Sequence, residues 1–381
     1  MRKKKILIVC MWPLGGIRTY LKYNYHYFPK DEFDITILAN PSIEKDHLIK
    51  DMTSEGIKIE WARPIWGKNV LFYHVARMLT KNKYDLIHSQ GFFSAFHTGL
   101  VNWIFRVPHV LTIHGILEDK YLSGRLAVFK KLILKQSLKN VTVFHGVGSD
   151  ILEHFKEAFP DFGRKKEGWV VINNGIQAER FLEPVPDADH KLRKQLGFPE
   201  NKFIFGFFGR FMPQKGFNYI IDAVDSIVHS GREYHDFIIL AVGSGDFERQ
   251  YKNDVTQKGL DRFFHFLPFG SDISPIMKGC GAVLMPSIWE AWGLLACETL
   301  TAGIPLIASD CIGLREVIKN TPAIRIPSHD PKALSEAMLQ VIEQPELRRI
   351  FESAKETAAG RFDVKDSASK LVGLFRKTSR Q

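Results

Sequence analysis

Short, continuous apolar runs recur along this chain, and between them apolar residues return at helical spacing. Such runs mark strands buried on both faces, and their alternation with helices implies a parallel sheet covered on both sides. The first half carries them at Lys5–Cys10, Phe33–Ala39, Ile57–Trp61, Tyr84–Ser89, His109–His114, Val141–His145 and Trp169–Asn173. A polar, proline-bearing segment from Glu183 to His190 follows, and the interdomain linker is expected at or near it. The pattern restarts at Lys202–Arg210 and continues at Phe237–Val242, Phe263–Phe266, Gly281–Met285, Pro305–Ala308 and Ala323–Ile326. Helices are expected from about Pro331 to Arg376. The expectation is an α/β chain of two doubly wound, Rossmann-like domains facing a cleft. They take residues 1–185 and 186–358, and a last helix over 359–381 packs back toward the first domain.

The densest chemistry lies after the run that ends at Met285. There Ile288-Trp289-Glu290-Ala291-Trp292-Gly293-Leu294-Leu295-Ala296-Cys297-Glu298 leads from Pro286-Ser287 into a helix over Leu294–Thr301, stopped by Gly303 and Pro305. Glu290 falls in a strand-to-helix loop and Glu298 roughly two turns into the helix. In an open parallel sheet such loops lie where ligands bind. Two carboxylates near a helix start can take hydroxyl hydrogen bonds from a polyhydroxylated ligand. The same spacing also describes a solvated loop glutamate and a helix-surface glutamate.

Other stretches bear on this. Phe208-Gly209-Arg210-Phe211-Met212-Pro213-Gln214-Lys215-Gly216 leaves a strand and enters a helix, so Arg210 and Lys215 flank a loop at the cleft edge. Two cations beside a helix start suit a pyrophosphate, although exposure is the usual fate of Arg and Lys. Gly15-Gly16 follows the first strand and opens a helix, an arrangement in which backbone N–H groups can face a phosphate. Gly243-Ser244-Gly245 begins like a dinucleotide fingerprint, but Glu248 stands at its third glycine, so a tight turn touching a nucleotide is the better reading. His88, His114 and His145 end strands of the first half, which makes each a candidate for the cleft or for a hydrogen-bonded, partly buried position. Asp187-Ala188-Asp189 has the form of a metal–diphosphate triplet, but it sits in the proline-flanked linker and reads as a solvated loop.

Composition narrows the class. The chain has 381 residues, 45% of them hydrophobic and 25% charged, with a formal charge of +10, so an anionic partner is favoured. No run approaches a membrane span, and the apolar run after Lys5 is too short for a signal-peptide core, so a cytoplasmic location is expected. Cys10, Cys280, Cys297 and Cys311 show no paired or metal-ligand spacing and read as buried free thiols. The stretch from Gly124 to Lys139 is a basic, apolar-rich helix. It suits either a cover for the sheet or a helix lying on an anionic membrane, peripheral on the inner face.

Together these motifs resemble the GT-B retaining glycosyltransferases of family 4, the glycosyl transferases group 1. The resemblance covers nearly the whole chain. It rests most on Phe266-Leu267-Pro268-Phe269-Gly270-Ser271-Asp272, on Glu290 and Glu298 with seven residues between them, and on Ala302-Gly303-Ile304-Pro305, with Gly15-Gly16 and Asn174-Gly175-Ile176 as weaker signals. It implies transfer of a sugar, with retained configuration, from a nucleotide diphosphate sugar to a saccharide or lipid-linked acceptor in surface polysaccharide or glycan biosynthesis. It also implies that no metal or other cofactor is used. By motif position, Arg210, Lys215, Gly293 and Leu294 correspond to the donor pyrophosphate site, Glu298 to the ribose ligand and Glu290 to the carboxylate beside the sugar. Gly15 and Gly16 correspond to the phosphate and acceptor loop, and His114 to a catalytic-side contact with the sugar. Ala291, Gln177 and Ile312 depart from the common pattern. A nucleotide-sugar epimerase of the same fold and a non-catalytic nucleotide-sugar-binding partner subunit are the competing readings. A nucleic-acid partner is not expected, for want of any nucleic-acid motif.

Overall fold

Each apolar run named above forms a strand. The computed structural model describes residues 2–42, 45–64, 70–117, 124, 127–163, 168–230, 236–268, 270 and 272–380. The chain divides into two compact units, one made of Met1–Gly175 with Val364–Gln381 and the other of Ile176–Asp363.

Unit 1 is built on β1 (Lys4–Cys10), β2 (Phe33–Ala39), β3 (Lys58–Trp61), β4 (Leu86–Gln90), β5 (His109–Ile113), β6 (Val143–Gly146) and β7 (Trp169–Val171). They form a parallel sheet in the order β3-β2-β1-β4-β5-β6-β7. β1 pairs on both sides and is covered on both faces, so Ile6 through Cys10 have no exposed surface and the run has no reason to alternate in polarity. Tyr20, Leu21 and Tyr25 of the helix Gly15–His26 cover one face together with Leu371 and Phe375 of the helix Val364–Thr378. The ring of Phe375 lies 5.3 Å from Phe28 and 5.0 Å from His88, so the end of the chain completes this core. Leu71 and Val75 of the helix Leu71–Lys81 and Val101 of the helix Gly91–Phe105 cover the opposite face.

Unit 2 carries β8 (Phe203–Phe208), β9 (Phe237–Val242), β10 (Phe264–Leu267), β11 (Ala282–Met285), β12 (Leu306–Ser309) and β13 (Ile324–Ile326). These are also parallel, in the order β10-β9-β8-β11-β12-β13. One face of this sheet is packed largely by phenylalanine. Phe207, Phe211 and Phe217 lie with ring centroids 4.9–5.9 Å apart, in offset and edge-on arrangements that favour aromatic pairs.

The division falls after Gly175 and again after Asp363, not at the Glu183–His190 segment where the sequence places it. That segment belongs to unit 2. Lys278 Nζ donates to the carbonyls of Glu183 and Arg180, and Leu192 presses so closely on Gly279 that a Cβ there would lie 2.8 Å from it. Asp187 and Asp189 are likewise not in a loop. They begin the helix Ala188–Leu196, and Asp189 pairs with Arg193 at 2.8 Å, one helical turn on. Among the described residues no helix is long and apolar enough to cross a membrane. All four cysteines are buried and unbridged.

Candidate functional site

The strand order of unit 2 reverses between β8 and β11, and the loops that leave these two strands are bound to each other. Ile288 N donates to Gln214 O at 2.8 Å, and Gln214 Nε2 donates to Trp289 O at 2.9 Å. Gly216 has φ +69°, and a Cβ on it would lie 1.9 Å from Pro286 O, so only glycine permits this approach. The outcome is a contact between residues far apart in sequence: Lys215 Nζ donates to Glu290 Oε1 at 2.7 Å. The Ser287 hydroxyl donates to the same oxygen at 2.7 Å. Glu290 is only 6% exposed, and its backbone is held by a bond from its N–H to Ile312 O at 3.0 Å. Gly313, with φ +78°, touches its carbonyl.

Arg210 stands exposed in the first loop and pairs with no carboxylate among the described residues. The turn at Gly243–Gly245 supports that loop from beneath. A Cβ on Gly243 would lie 1.9 Å from Gly209 O, and one on Gly245 would lie 2.5 Å from Phe211 O. The structure therefore shows these glycines serving close backbone packing around Arg210.

Gly293, at φ +76°, caps the helix Leu294–Thr301 without a side-chain partner for its first turn. Helix starts of this kind leave N–H groups and a partial positive charge aimed outward, here three residues after the held Glu290. Glu298 lies about one turn into the helix, nearer its start than the sequence reading places it, and is 7% exposed. Burial pushes its carboxyl up to about 8, and the charge of Arg180 offsets only part of that. In the free protein at neutral pH this carboxyl is therefore largely protonated, able to donate as well as accept. Arg180 also pairs with Asp272 at 2.5 Å. Neither Arg180 nor Ser287 stands out in the sequence. The only local signal for Ser287 is its place three residues before Glu290. Of the expected motif run, Phe269 and Ser271 lie outside the described residues.

In unit 1 the strand order reverses between β1 and β4. Gly15 has φ +51°, and a Cβ on Gly16 would meet nothing within 4 Å, so this helix start is open on the side where a ligand can approach. The histidines do not share one fate. His88 and His145 are buried, not at the edge of a cleft, and join a chain of hydrogen bonds whose direction is set by one carbonyl. Ile172 O can only accept, so His145 Nε2 donates to it at 3.0 Å and Nδ1 accepts from the Thr112 hydroxyl at 2.8 Å. Thr112 Oγ1 then accepts from His88 Nε2 at 2.5 Å, and His88 Nδ1 accepts from the Tyr25 hydroxyl at 2.6 Å. That direction holds while both imidazoles are neutral. Burial accordingly pushes His145 down to about 4 and His88 well below its ordinary value. His109 is a further buried member of the sheet, bonded to the Ser89 hydroxyl at 2.8 Å and pushed down to about 3. His114 alone of the three expected candidates reaches the surface. Its Nε2 donates to Gln90 Oε1 at 2.6 Å, its ring meets Tyr20 edge-on at 4.8 Å, and burial pushes it down to about 3.

Chemically, unit 2 presents two cations, a helix start, a held carboxylate and a buried carboxyl around one pair of loops. Two known family patterns match this chain. Glycosyl transferases group 1 match residues 188–357, and Glycosyltransferase Family 4 matches residues 14–180. The two together span most of both units. The chain belongs to glycosyltransferase family 4.

Relatives of this glycosyltransferase agree along its length. It is 24% identical to the UDP-Gal:alpha-D-GlcNAc-diphosphoundecaprenol alpha-1,3-galactosyltransferase of Escherichia coli over 98% of this chain and 97% of that one. It is 26% identical to the D-inositol 3-phosphate glycosyltransferase of Saccharomonospora viridis, over 77% of this chain and 70% of that one. Its fold matches that of Anabaena HepE in complex with UDP and glucose, with a TM-score of 0.81 at 21% identity over 98% and 100% of the two chains. The fold is GT-B, and the enzyme transfers a sugar from a nucleotide-sugar donor.

Proposed function

We propose that this glycosyltransferase takes a sugar from a uridine diphosphate donor and transfers it, with retained anomeric configuration and without a metal ion, to a saccharide or lipid-linked acceptor in surface glycan assembly. The observation that carries the reading is the Lys215–Glu290 contact at 2.7 Å, set beside the helix start at Gly293. Departure of a nucleoside diphosphate requires fixed positive charge. Lys215, Arg210 and the N–H groups of Gly293 and Leu294 supply it in a place already organised before the donor arrives. An ammonium has three donor hydrogens, so Lys215 can hold a phosphate oxygen while it keeps Glu290. Glu290, fixed by Lys215 and Ser287, is assigned to the sugar, where positive charge develops at the anomeric carbon. Glu298 is assigned to the ribose hydroxyls. On unit 1, Gly15 and Gly16 are assigned to phosphate and acceptor, and His114 to the sugar. The leaving phosphate serves as the base that takes the acceptor's proton on the same face.

The uridine base and the lipid-linked acceptor are supported by the names of the Escherichia coli relative and the HepE complex. Peripheral attachment to the cytoplasmic face of a membrane belongs to the same reading and is supported by the formal charge of +10. The test is a panel of nucleotide sugars screened by thermal shift, followed by acceptor-dependent release of nucleoside diphosphate and assignment of the product's anomer by NMR. Conversion of the donor with no acceptor present would instead identify an epimerase. An inverted product would end the same-face mechanism, and activity abolished by a chelator and restored by magnesium would end the metal-free one.

A further inference from the structure

In unit 1 the helices Gly91–Phe105 and Ala127–Leu138 cross with their backbones almost touching: a Cβ on Gly99 would lie 1.9 Å from Ser137 O. A crossing that tight leaves no space for large side chains between the helices at that point. Leu100, Trp103 and Ile104 are 43%, 58% and 78% exposed on the first helix, and Val128, Phe129 and Leu132 are 84%, 58% and 60% exposed on the second. Half of the twelve large hydrophobic side chains exposed among the described residues thus belong to one pair of neighbouring helices. Lone exposed hydrophobics need no explanation, but a group of this size does.

The side-chain charge on the two helices themselves is not negative anywhere. Neither helix contains an Asp or Glu. The second carries Lys130, Lys131 and Lys135 and is followed by Lys139. The first ends at exposed Arg106, and Arg380 donates to the carbonyls of Phe105 and Arg106 at 3.0 and 2.8 Å, which sets another cation beside Trp103 and Ile104. We propose that this two-helix face is the surface by which the enzyme lies on an anionic phospholipid bilayer. Trp103, Ile104, Phe129 and Leu132 enter the boundary between headgroups and acyl chains, and the lysines and arginines meet the lipid phosphates. A second copy of the chain is a poorer occupant, because a two-fold contact would set the same cations against one another. The proposal rests on the peripheral-attachment reading above and names the face responsible.

Sedimentation of the full chain with vesicles tests it. Wild type sediments at low salt with phosphatidylcholine vesicles that contain phosphatidylglycerol, is released by high salt, and stays in solution with phosphatidylcholine alone. Lys131→Glu with Lys135→Glu weakens binding by on the order of tenfold or more, since each basic residue near such a surface contributes about 1 kcal/mol, or roughly fivefold. Trp103→Gln with Phe129→Gln weakens it at unchanged charge, and both double variants keep the wild-type melting temperature and nucleoside diphosphate affinity. If wild type stays in the supernatant with anionic vesicles, both the attachment and this face are overturned. If wild type sediments and the variants sediment equally, only this face is overturned. A wild-type dimer that the variants dissociate, with no change in vesicle binding, overturns it in favour of a second copy.

Discussion

Glu290 and Glu298 are the same residue type eight positions apart, yet their surroundings give them opposite chemistry. Glu290 meets a lysine and a serine hydroxyl, both donors, on one oxygen. Glu298 meets no such donor among the described residues and is pushed up to about 8 by burial. Two expectations follow. Glu290→Ala removes a charge that matters as the transition state forms, so kcat falls by on the order of a hundredfold while affinity for nucleoside diphosphate barely moves. Steady-state kinetics beside calorimetry with the diphosphate alone checks this, and equal losses from Glu290→Ala and Glu298→Ala would end the division of roles. Glu298→Gln separates stability from function. A carboxyl whose folded value lies above its unfolded one destabilises the fold progressively as pH rises from about 4.5 to about 8. Glu298→Gln therefore raises stability at pH 8 by on the order of 2 kcal/mol, yet weakens diphosphate binding because one neutral amide oxygen replaces a carboxylate that can accept from both ribose hydroxyls. A variant less stable than wild type at pH 8 would contradict this.

The elements of unit 2 bring these side chains together only because two loops approach backbone to backbone. Gly216 carries that approach, with positive φ and Pro286 O where a Cβ would stand. Gly216→Ala forces the loops apart, at a cost of roughly 2 kcal/mol or more, and pulls Lys215 away from Glu290. The expected readout is loss of diphosphate affinity together with a lower melting temperature. Wild-type affinity in a stably folded Gly216→Ala protein would mean that the loop contact does not build the site. Gly360 makes the contrast, since nothing lies within 4 Å of its would-be Cβ, and Gly360→Ala leaves binding unchanged.

Across the whole chain, the two units respond to acid with opposite signs. His88, His109 and His145 in unit 1 are held below their unfolded value near 6.5, so the unfolded chain binds more protons than the folded one in that window. Their contribution is fully present above pH 6.5 and is lost as pH falls through about 4 for His145 and about 3 for His109, by on the order of several kcal/mol in all. Glu298 in unit 2 works the other way, since the fold already holds its carboxyl protonated and acid removes the unfolded chain's advantage of being ionised. Hydrogen exchange at pH 7 and pH 5 therefore shows protection falling in β4, β5 and β6 while the helix Leu294–Thr301 keeps or gains it. Uniform loss across both sheets would refute the assignment.

Much of this enzyme was legible in local sequence. Strands buried on both faces must be runs of apolar residues, so β2 and β9 begin and end where Phe33–Ala39 and Phe237–Val242 do. The spacing of Glu290 and Glu298 on a strand-loop-helix element is likewise local, and it located both carboxylates before any contact was known. The contacts themselves were not local. Lys215 and Glu290 are brought together across 75 positions by glycines whose need is visible only once Pro286 O and Glu290 O lie against them. The fate of three similar strand-end histidines is decided by what stands opposite each in the sheet: Thr112 and the Ile172 carbonyl for two of them, Gln90 and a half-buried position for His114. The unit boundary was misplaced for the same reason, because prolines and charge at Glu183–His190 mark a turn but do not reveal that Lys278 and Gly279 hold it to unit 2. Periodicity reports whether a residue is buried, whereas partnership depends on the loops and strand order that only the folded chain possesses.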